Sequence, residues 1–242
     1  MQQKSQMTID IVIPLYNEEE LIIQVLNLLD EVKFPSFITS HRIIIIDDDS
    51  KDNSYQLVKN YIQNKPDYYT LLRMDKNSGK GAAVRYGIAN GTGDLIFIQD
   101  ADLELYPHDL PVMLMAMKNL NVEFVNGSRY LPGIPRPLSS YRRYLANRFF
   151  TWLTSIFINV KLTDMACGYK LFSRELYNKL HLKENRFGFE AEIILKALKI
   201  KKNNITEVPV NYFPRNEAEG KKFRSIDAFK MLFTIIRYAF FK

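Results

Sequence analysis

Four consecutive isoleucines at residues 43–46 are followed directly by three aspartates at residues 47–49. An unbroken β-branched run suits a strand that is buried on both faces, as the strands of helix-covered parallel sheets are. The aspartates begin where the apolar run stops, so they fall in the loop that follows the strand. This segment therefore predicts a central parallel strand with acidic side chains just past its carboxyl end.

The first half of the chain alternates strand-like apolar runs with stretches of helical apolar spacing. The runs predict strands at residues 9–13, 42–46, 69–74, 94–99 and 122–126, the first of them ended by Pro14. The helical spacing predicts helices at residues 18–32, 52–63, 79–89 and 107–120. The less regular second half predicts helices at residues 138–160, 189–200 and 225–241 and a strand at residues 205–212. This alternation predicts an α/β fold with a mainly parallel, doubly wound sheet.

Polar side chains follow three of the predicted strands. Right-handed crossovers bring the loops after parallel strands to one edge of the sheet, where such folds bind ligands. The polar residues in these loops are Asn17 and Glu18, residues 47–49, and Asp100, Asp102 and Glu104. We therefore expect the three clusters to lie close together and to form a ligand site.

Carboxylates occupy every second position of the segment 100–104, so Asp100, Asp102 and Glu104 share one side of an extended chain. Carboxylates this close repel one another unless a cation lies among them. Mg²⁺ or Mn²⁺ takes oxygen ligands and usually accompanies a phosphorylated substrate. The cluster predicts a divalent-cation site that joins a diphosphate to the protein, and the alternative interpretation is a solvated acidic turn.

The composition excludes two kinds of cysteine-based site and limits the possible partners. Cys167 is the single cysteine, which excludes a disulfide within the chain and a zinc site built on several cysteines. The net charge of +6 suits nucleic acid, anionic membrane surfaces or phosphorylated substrates, without selecting among them. The longest apolar-rich stretches, 149–160 and 231–241, are shorter than the roughly 20 residues of a membrane-spanning helix. We expect no transmembrane helix and, from residues 1–10, no signal peptide.

Seven short motifs occur in the order and spacing of a known family. The first four are Ile-Pro-Leu-Tyr-Asn-Glu at 13–18, Asp-Asp-Asp-Ser at 47–50, Asn-Ser-Gly-Lys-Gly at 77–81 and Gln-Asp-Ala-Asp at 99–102. The others are Gly-Ser-Arg-Tyr at 127–130, Asp164 with Cys-Gly-Tyr-Lys at 167–170, and Glu-Val-Pro-Val at 207–210. Over residues 8–237 the chain resembles family-2 glycosyltransferases, in particular the branch of dolichyl-phosphate and polyprenyl-phosphate mannosyl- and glucosyltransferases.

The resemblance implies a GT-A fold and an inverting transfer of a hexose from a UDP- or GDP-sugar to a polyprenyl or dolichyl phosphate. It implies one catalytic domain over residues 1–215, with a nucleotide-sugar half at 8–127 and an acceptor half at 128–215. Residues 216–242 then form a loop and an amphipathic helix. The expected location is peripheral, on the cytoplasmic face of a membrane, and no nucleic-acid partner is expected.

Residue roles are carried over from the matching motifs. The implied nucleotide-sugar-binding residues are Pro14, Tyr16, Glu18, Asp48, Lys80 and Asp100. Asp102 is the implied metal ligand, together with Glu104, where the family often has Gln. The implied catalytic residues are Asp100, Asp102 and Arg129, and Arg129 faces the phosphates. Asp49 departs from the family's usual Gly, and we expect a positive φ there, which Asp tolerates better than most residues.

A lipid phosphate is already an anion at neutral pH, so transfer to it needs positioning and charge stabilisation rather than a strong general base. Guanidinium groups match phosphate geometry. The candidates for holding the acceptor phosphate are Arg129, Arg142 and Arg143. The alternative is transfer to a sugar hydroxyl in polysaccharide or lipopolysaccharide synthesis, which requires a base. The candidates for that base are Asp164, Glu190 and Glu192. A nucleotide-sugar- or membrane-binding module without activity is the remaining alternative.

Two segments suit contact with a membrane surface. One is the aromatic-rich stretch 149–158 beside Arg148, and the other is the carboxyl-terminal helix. The helix has an apolar stripe at Ile226, Phe229, Phe233, Ile236 and Phe240. The alternative is that both stripes pack on the domain core. Residues 216–224 predict a mobile loop from which Lys221 and Lys222 reach toward the diphosphate.

Overall fold

The computed structural model describes residues 6–65, 67–135, 137, 140–186, 188–201, 204–215 and 225–240, without the side chains of 201 and 225–230. Within these residues one sheet contains seven strands: β1 (Met7–Leu15), β2 (Ile38–Asp47), β3 (Tyr69–Arg73), β4 (Leu95–Ile98), β5 (Phe124–Ser128), β6 (Lys170–Ser173) and β7 (Ile205–Pro209). The helices are α1 (Ile22–Asp30), α2 (Ser54–Ile62), α3 (Lys80–Ala89), α4 (Leu110–Leu120), α5 (Tyr141–Ile158), α6 (Arg174–Leu180), α7 (Phe189–Lys201) and α8 (Ser225–Phe240). A short 3₁₀ turn, Pro107–Asp109, leads into α4.

The strand order is β3-β2-β1-β4-β6-β5-β7. Strand β6 runs antiparallel to β4 and β5, and the other neighbouring pairs are parallel. The predicted α/β fold with a mainly parallel sheet is therefore confirmed. The predicted division into residues 1–215 and 216–242 stays a prediction, and the loop 216–224 with Lys221 and Lys222 lies outside the described residues.

The isoleucine run at 43–46 is buried on both faces of β2. Ile43 and Ile45 belong to the core that β1 forms with α1 and α4. Ile44 and Ile46 pack with Ala83 of α3 on the opposite face. Helices on both sides exclude water from the strand, and the first charged residue after the run, Asp47, lies at its carboxyl end.

Strand β1 continues through Pro14 to Leu15, so the prediction that Pro14 ends the strand was wrong. Val12 accepts a hydrogen bond from the Gln99 N–H, so its backbone polar groups face β4. Pro14, two residues later, faces the same side because backbone directions alternate along a strand. The pairing of β4 with β1 ends at Ile98, which lies opposite Val12. The N–H that Pro14 lacks would lie beyond this pairing, so its absence removes no hydrogen bond between the two strands.

The sequence pattern predicted no regular element where β6 and α6 lie. Strand β6 is four residues long and begins with the fully buried Lys170, so it lacks a recognisable apolar pattern. Because β6 is antiparallel, Lys170 lies opposite Ile98 of β4 and Asn126 of β5. The segment that precedes β6 is thereby brought to the carboxyl ends of the neighbouring strands.

Helices α5 and α8 pack together and present apolar side chains to solvent. Helix α8 buries Met231, Ile235 and Tyr238, whereas the predicted stripe residues Phe233, Ile236 and Phe240 are exposed. The side chains of Ile226 and Phe229 lie outside the described residues. On α5 the exposed apolar residues are Tyr141, Leu145, Phe149, Trp152 and Ile156. The described part of the predicted α8 stripe is therefore exposed, whereas α5 buries Phe150 and Ile158 in the core and exposes its other apolar face.

Candidate functional site

The carboxyl edge of the sheet brings the acidic clusters together. Asp47 lies opposite Leu15 in the β1–β2 pair, and the Asp48 N–H donates to the Leu15 carbonyl at 2.8 Å. Gln99, which precedes Asp100, donates from its backbone to Val12 of β1 at 3.0 Å. The three polar loops that the sequence predicted to meet are therefore neighbours in the structure.

Asp48 holds the loop at residues 77–81. Its two carboxylate oxygens accept hydrogen bonds from the Ser78 and Gly79 N–H groups, each at 2.7 Å. Gly79 has φ +98°, and a Cβ there would lie 2.5 Å from the Asn185 carbonyl, so glycine is required by both conformation and space. The structure thus gives Asp48 a positioning function, and its contact with a base or ribose stays a prediction.

Lys80 joins two acidic groups at the site. Its Nζ lies 2.6 Å from Asp100 Oδ1 and 2.8 Å from Glu190 Oε1. Gly168 packs against the same Asp100 carboxylate, and a Cβ at Gly168 would overlap Oδ2. Asp100 is therefore fixed from two sides, by an ammonium group and by a backbone that tolerates no side chain.

Arg215, which the sequence motifs did not single out, lies among the predicted donor-site carboxylates. Its Nη2 is 2.5 Å from Glu18 Oε2, and its Nε donates to the Asp102 carbonyl at 3.1 Å. Its backbone N–H donates to Glu104 Oε1 at 3.3 Å. Pairing of Tyr212 with Leu105 brings this part of the chain to the acidic segment, a contact that only the tertiary fold reveals.

The surroundings of Asp102 disfavour a negative charge on its carboxyl group. Burial raises the pKa of Asp102 to about 7, with further contributions from the Asp100 and Glu104 carboxylates, while Arg215 acts in the opposite direction. An additional cation beside Asp102 would relieve this repulsion. The electrostatics therefore fit the predicted divalent ion.

The oxygen ligands at this edge suit Mg²⁺ or Mn²⁺, although the described residues contain no prearranged group of three or more potential ligands. Asp100 is turned to Lys80, and Glu104 accepts from Arg215. Mg²⁺ is commonly held by one or two carboxylates plus substrate phosphates, so a prearranged protein cage is not needed. Asp102 fits that arrangement, and the ligand assignment of Glu104 stays a prediction.

Arg129 forms a two-pronged ion pair with the fully buried Asp164. Nε and Nη2 donate to the two carboxylate oxygens at 2.7 and 2.9 Å, and the Arg129 N–H donates at 3.1 Å. The Asn147 amide adds a fourth hydrogen bond at 2.8 Å. Burial opposes ionisation of Asp164, but the Arg129 guanidinium holds its pKa below the usual range.

Helix α5 partly buries Arg143 and leaves Arg142 exposed. Arg143 and Asn147 are four residues apart and share one helix face. Burial raises the pKa of Tyr212 to about 12 and Glu104 adds to the rise, whereas Arg129 and Arg143 oppose it. The guanidinium of Arg129 lies 5.2 Å from the centre of the Tyr212 ring. Of the two α5 arginines that the sequence predicts for the acceptor phosphate, Arg143 therefore fits better than Arg142, and the role itself stays a prediction.

The remaining predicted residues lie at the same edge. Pro14 is the penultimate residue of β1, Tyr16 follows the strand, and Glu18 pairs with Arg215. Asp49 adopts φ +60°, which confirms the positive φ predicted because the family usually has glycine at this position. Its carboxylate pairs with Lys51.

Residues 10–181 match glycosyl transferase family 2. A dolichyl-phosphate beta-glucosyltransferase of Dictyostelium discoideum is 33% identical over 88% of this chain and 68% of its own length. A Trichomonas vaginalis protein of the same activity is 30% identical over 96% of this chain and 73% of its own length.

Solved structures show the same fold at low sequence identity. Glucosyl-3-phosphoglycerate synthase from Mycobacterium tuberculosis, bound to UDP, superposes with a TM-score of 0.73 at 16% identity, over 98% of this chain and 81% of that chain. The same synthase with Mn²⁺, UDP-glucose and phosphoglyceric acid gives a TM-score of 0.70 at 18% identity, with the same two coverages. These likenesses confirm the GT-A fold.

We predict that Asp102→Asn raises the Tm of the metal-free protein at pH 8. The pKa of Asp102 is higher in the folded protein than in the unfolded chain. Its stabilising contribution is therefore fully present at pH values below the unfolded-state pKa, and it is lost as the pH rises through about 7. At pH 8 asparagine removes the repulsion, and each kcal/mol gained raises the Tm by about 2–4 °C. Differential scanning fluorimetry measures the difference.

The same variant loses the Tm increase that Mn²⁺ plus UDP gives the parent protein, and at pH 4 the two metal-free proteins differ little. A metal-free Asp102→Asn protein that melts below the parent at pH 8, or gains equally from Mn²⁺ and UDP, would contradict this account of the site.

Proposed function

The chain belongs to glycosyl transferase family 2, and from that membership we propose that it transfers glucose from UDP-glucose to the phosphate of a polyprenol such as dolichol, with inversion at the anomeric carbon. The sugar and the acceptor are suggested by the dolichyl-phosphate beta-glucosyltransferases that are 28–33% identical to it. The donor nucleotide is suggested by the UDP complexes of structures with the same fold.

The acceptor assignment rests on one observation: each candidate general base already forms an ion pair or hydrogen bonds within the protein. Asp164 is paired with Arg129, and its lowered pKa makes it a weak base. Glu190 is paired with Lys80. Glu192 accepts from the backbone N–H groups of Lys183 and Glu184 and pairs with Lys196. A phosphate acceptor needs no proton removed, so this arrangement favours it over a sugar hydroxyl.

On the donor side, residues at the carboxyl edge hold the nucleotide sugar. The loop at 77–81, fixed by Asp48, and the end of β1 with Pro14 and Tyr16 form the proposed nucleotide contacts. Lys80 and Asp100 form the proposed contacts on the ribose and sugar side, held in place by their mutual ion pair. Fixing these groups before the donor arrives reduces the entropy that binding must remove.

Asp102 is the proposed ligand of Mg²⁺ or Mn²⁺, with Glu104 as a second candidate. A divalent ion bound there supplies a Lewis acid that stabilises charge on the leaving nucleoside diphosphate. Asp102 must be deprotonated to bind the ion, which its raised pKa disfavours until the cation is present.

On the acceptor side, Arg129 and Arg143 hold the lipid phosphate. Arg129 uses Nε and Nη2 for Asp164, which fixes the plane of its guanidinium and directs the remaining donors. A planar group held in this way binds phosphate with defined geometry. Arg142 is exposed at the start of α5 and is the less favoured candidate for this contact.

The exposed apolar residues of α5 and α8 form the proposed membrane face: Tyr141, Leu145, Phe149, Trp152, Ile156, Phe233, Ile236 and Phe240. Arg142 and Arg148 lie beside them on α5, and Arg237 lies on α8. A surface that combines aromatic residues with arginines suits the interface of an anionic bilayer, and each basic residue near it contributes about 1 kcal/mol.

In the described part of the chain no helix has the length and apolar character of a membrane span. We propose peripheral attachment on the cytoplasmic face. Residues 1–215 are proposed as the catalytic domain, with its donor half at 8–127 and its acceptor half at 128–215.

Sugar transfer to a short polyprenyl phosphate in detergent tests the proposed reaction directly. Incubation with a panel of UDP- and GDP-sugars and Mn²⁺ should give product with UDP-glucose, and Asp102→Ala should lower kcat/KM at least about 100-fold, as loss of a group stabilising transition-state charge does. Glu175→Gln, a change in a surface ion pair on α6, is the matched control and should leave the rate unchanged.

Transfer from a GDP-sugar would overturn the donor assignment. Transfer to a saccharide hydroxyl, without product on the lipid phosphate, would overturn the acceptor assignment and favour the polysaccharide or lipopolysaccharide alternative.

Flotation with lipid vesicles tests the membrane face. With phosphatidylcholine vesicles containing phosphatidylserine, Phe149→Ser/Trp152→Ser should lower the bound fraction at least about fivefold, because both apolar side chains lose their burial in lipid. The control is Val112→Ser/Met115→Ser, which removes two exposed apolar residues from α4. Equal losses in the two double variants would contradict the assignment to α5 and α8.

A further inference from the structure

Beneath Arg129 lies a polar network centred on Glu207, in a motif to which the proposed reaction gives no function. The Glu207 carboxylate accepts four hydrogen bonds: from the Thr163 N–H at 2.8 Å, the Thr163 hydroxyl at 2.8 Å, the Asp164 N–H at 3.2 Å and the Asn126 amide at 3.1 Å. Three of these four bonds come from two adjacent residues. Glu207 therefore fixes the backbone of residues 163 and 164, from which the Asp164 side chain extends to Arg129.

The contacts continue without a break from Glu207 to the acceptor-side guanidinium. Asp164, fixed at its N–H by Glu207, receives the Nε and Nη2 groups of Arg129. The Thr163 hydroxyl is also 2.6 Å from the Ser128 hydroxyl, and Ser128 directly precedes Arg129. Both the backbone and the side chain of Arg129 are thus tied to the segment that Glu207 holds.

Two basic and two acidic side chains, all buried or partly buried, lie in this network. Arg129 and Asp164 form one pair. The fully buried Lys170 reaches Glu207 through Asn126, because its Nζ donates to Asn126 Oδ1 at 2.9 Å while the Asn126 amide donates to Glu207. Removing the Glu207 charge therefore weakens the acceptor end of a hydrogen-bond chain that begins at the buried Lys170.

We infer that Glu207 is a positioning residue for the acceptor phosphate, acting through the Thr163–Asp164 segment to set the direction of the free edge of Arg129. This inference rests on the proposed function, in which Arg129 binds the lipid phosphate. Glu207 itself lies behind Asp164 and makes no contact with substrate in this scheme. Its replacement is therefore expected to affect acceptor binding and to spare the nucleotide.

Calorimetric binding measurements in the presence of Mn²⁺ separate these effects without requiring turnover. Glu207→Gln places an NH₂ group against N–H and O–H donors, so the segment must shift. The Kd of a short polyprenyl phosphate, measured with UDP bound, should rise at least tenfold, while the Kd of UDP changes less than twofold. Glu123→Gln is the control, because Glu123 is a buried glutamate that directly precedes β5, at the opposite end of that strand from Ser128.

A double-mutant cycle distinguishes positioning from a general loss of structure. If Glu207 acts through Arg129, Glu207→Gln should change the acceptor Kd less than twofold in an Arg129→Lys background, because the two changes remove the same interaction. An equal change in both backgrounds, or a parallel rise in the Kd of UDP, would overturn the inference.

Thr163→Val provides a milder variant should Glu207→Gln fold poorly. It removes one hydroxyl donor to Glu207 without changing charge, and it should raise the acceptor Kd about twofold to fivefold in the parent background only. Failure of the parent protein to bind any polyprenyl phosphate would contradict the proposed function itself, whereas binding with additive effects would contradict only the assignment of Glu207.

Discussion

Repulsion among carboxylates at the carboxyl edge of the sheet is the constraint around which the site is arranged. Lys80 offsets Asp100 and Glu190, and Arg215 offsets Glu18. Burial raises the pKa of Asp102, the neighbouring Asp100 and Glu104 carboxylates raise it further, and Arg215 offsets only part of this rise. A nucleoside diphosphate would add negative charge at the same edge, so donor binding and cation binding are expected to be strongly coupled.

The acceptor side follows the opposite arrangement, in which a carboxylate orients a cation. Asp164 is fully buried and almost surrounded by donors from Arg129 and Asn147. Its charge fixes a guanidinium, and it is thereby a poor proton acceptor. The same residue that the sequence offered as a candidate base thus supports transfer to an acceptor that is already ionised.

Sequence patterns predicted the parts of the molecule that depend on local order. The isoleucine run predicted β2 and its burial, and the acidic loops predicted the edge at which the donor residues meet. Contacts between distant residues could not be predicted in this way: Arg215 reaches Glu18 across nearly the whole chain, and Glu207 reaches Asp164 through the β5–β7 pairing. Strand β6 was missed because its four residues begin with a buried lysine whose partners, Asn126 and Cys167, lie outside the strand.

Helix α5 connects the proposed membrane face to the Arg129–Asp164 pair, because Asn147 donates to Asp164 while Phe149 and Trp152 are exposed to solvent. A crystal structure of the protein with Mn²⁺, UDP and a short polyprenyl phosphate tests this account most directly. The account predicts anomalous manganese density at the Asp102 carboxylate and the lipid phosphate on Arg129, with the prenyl chain leaving along α5. A phosphate bound away from Arg129, or manganese held without Asp102, would contradict it.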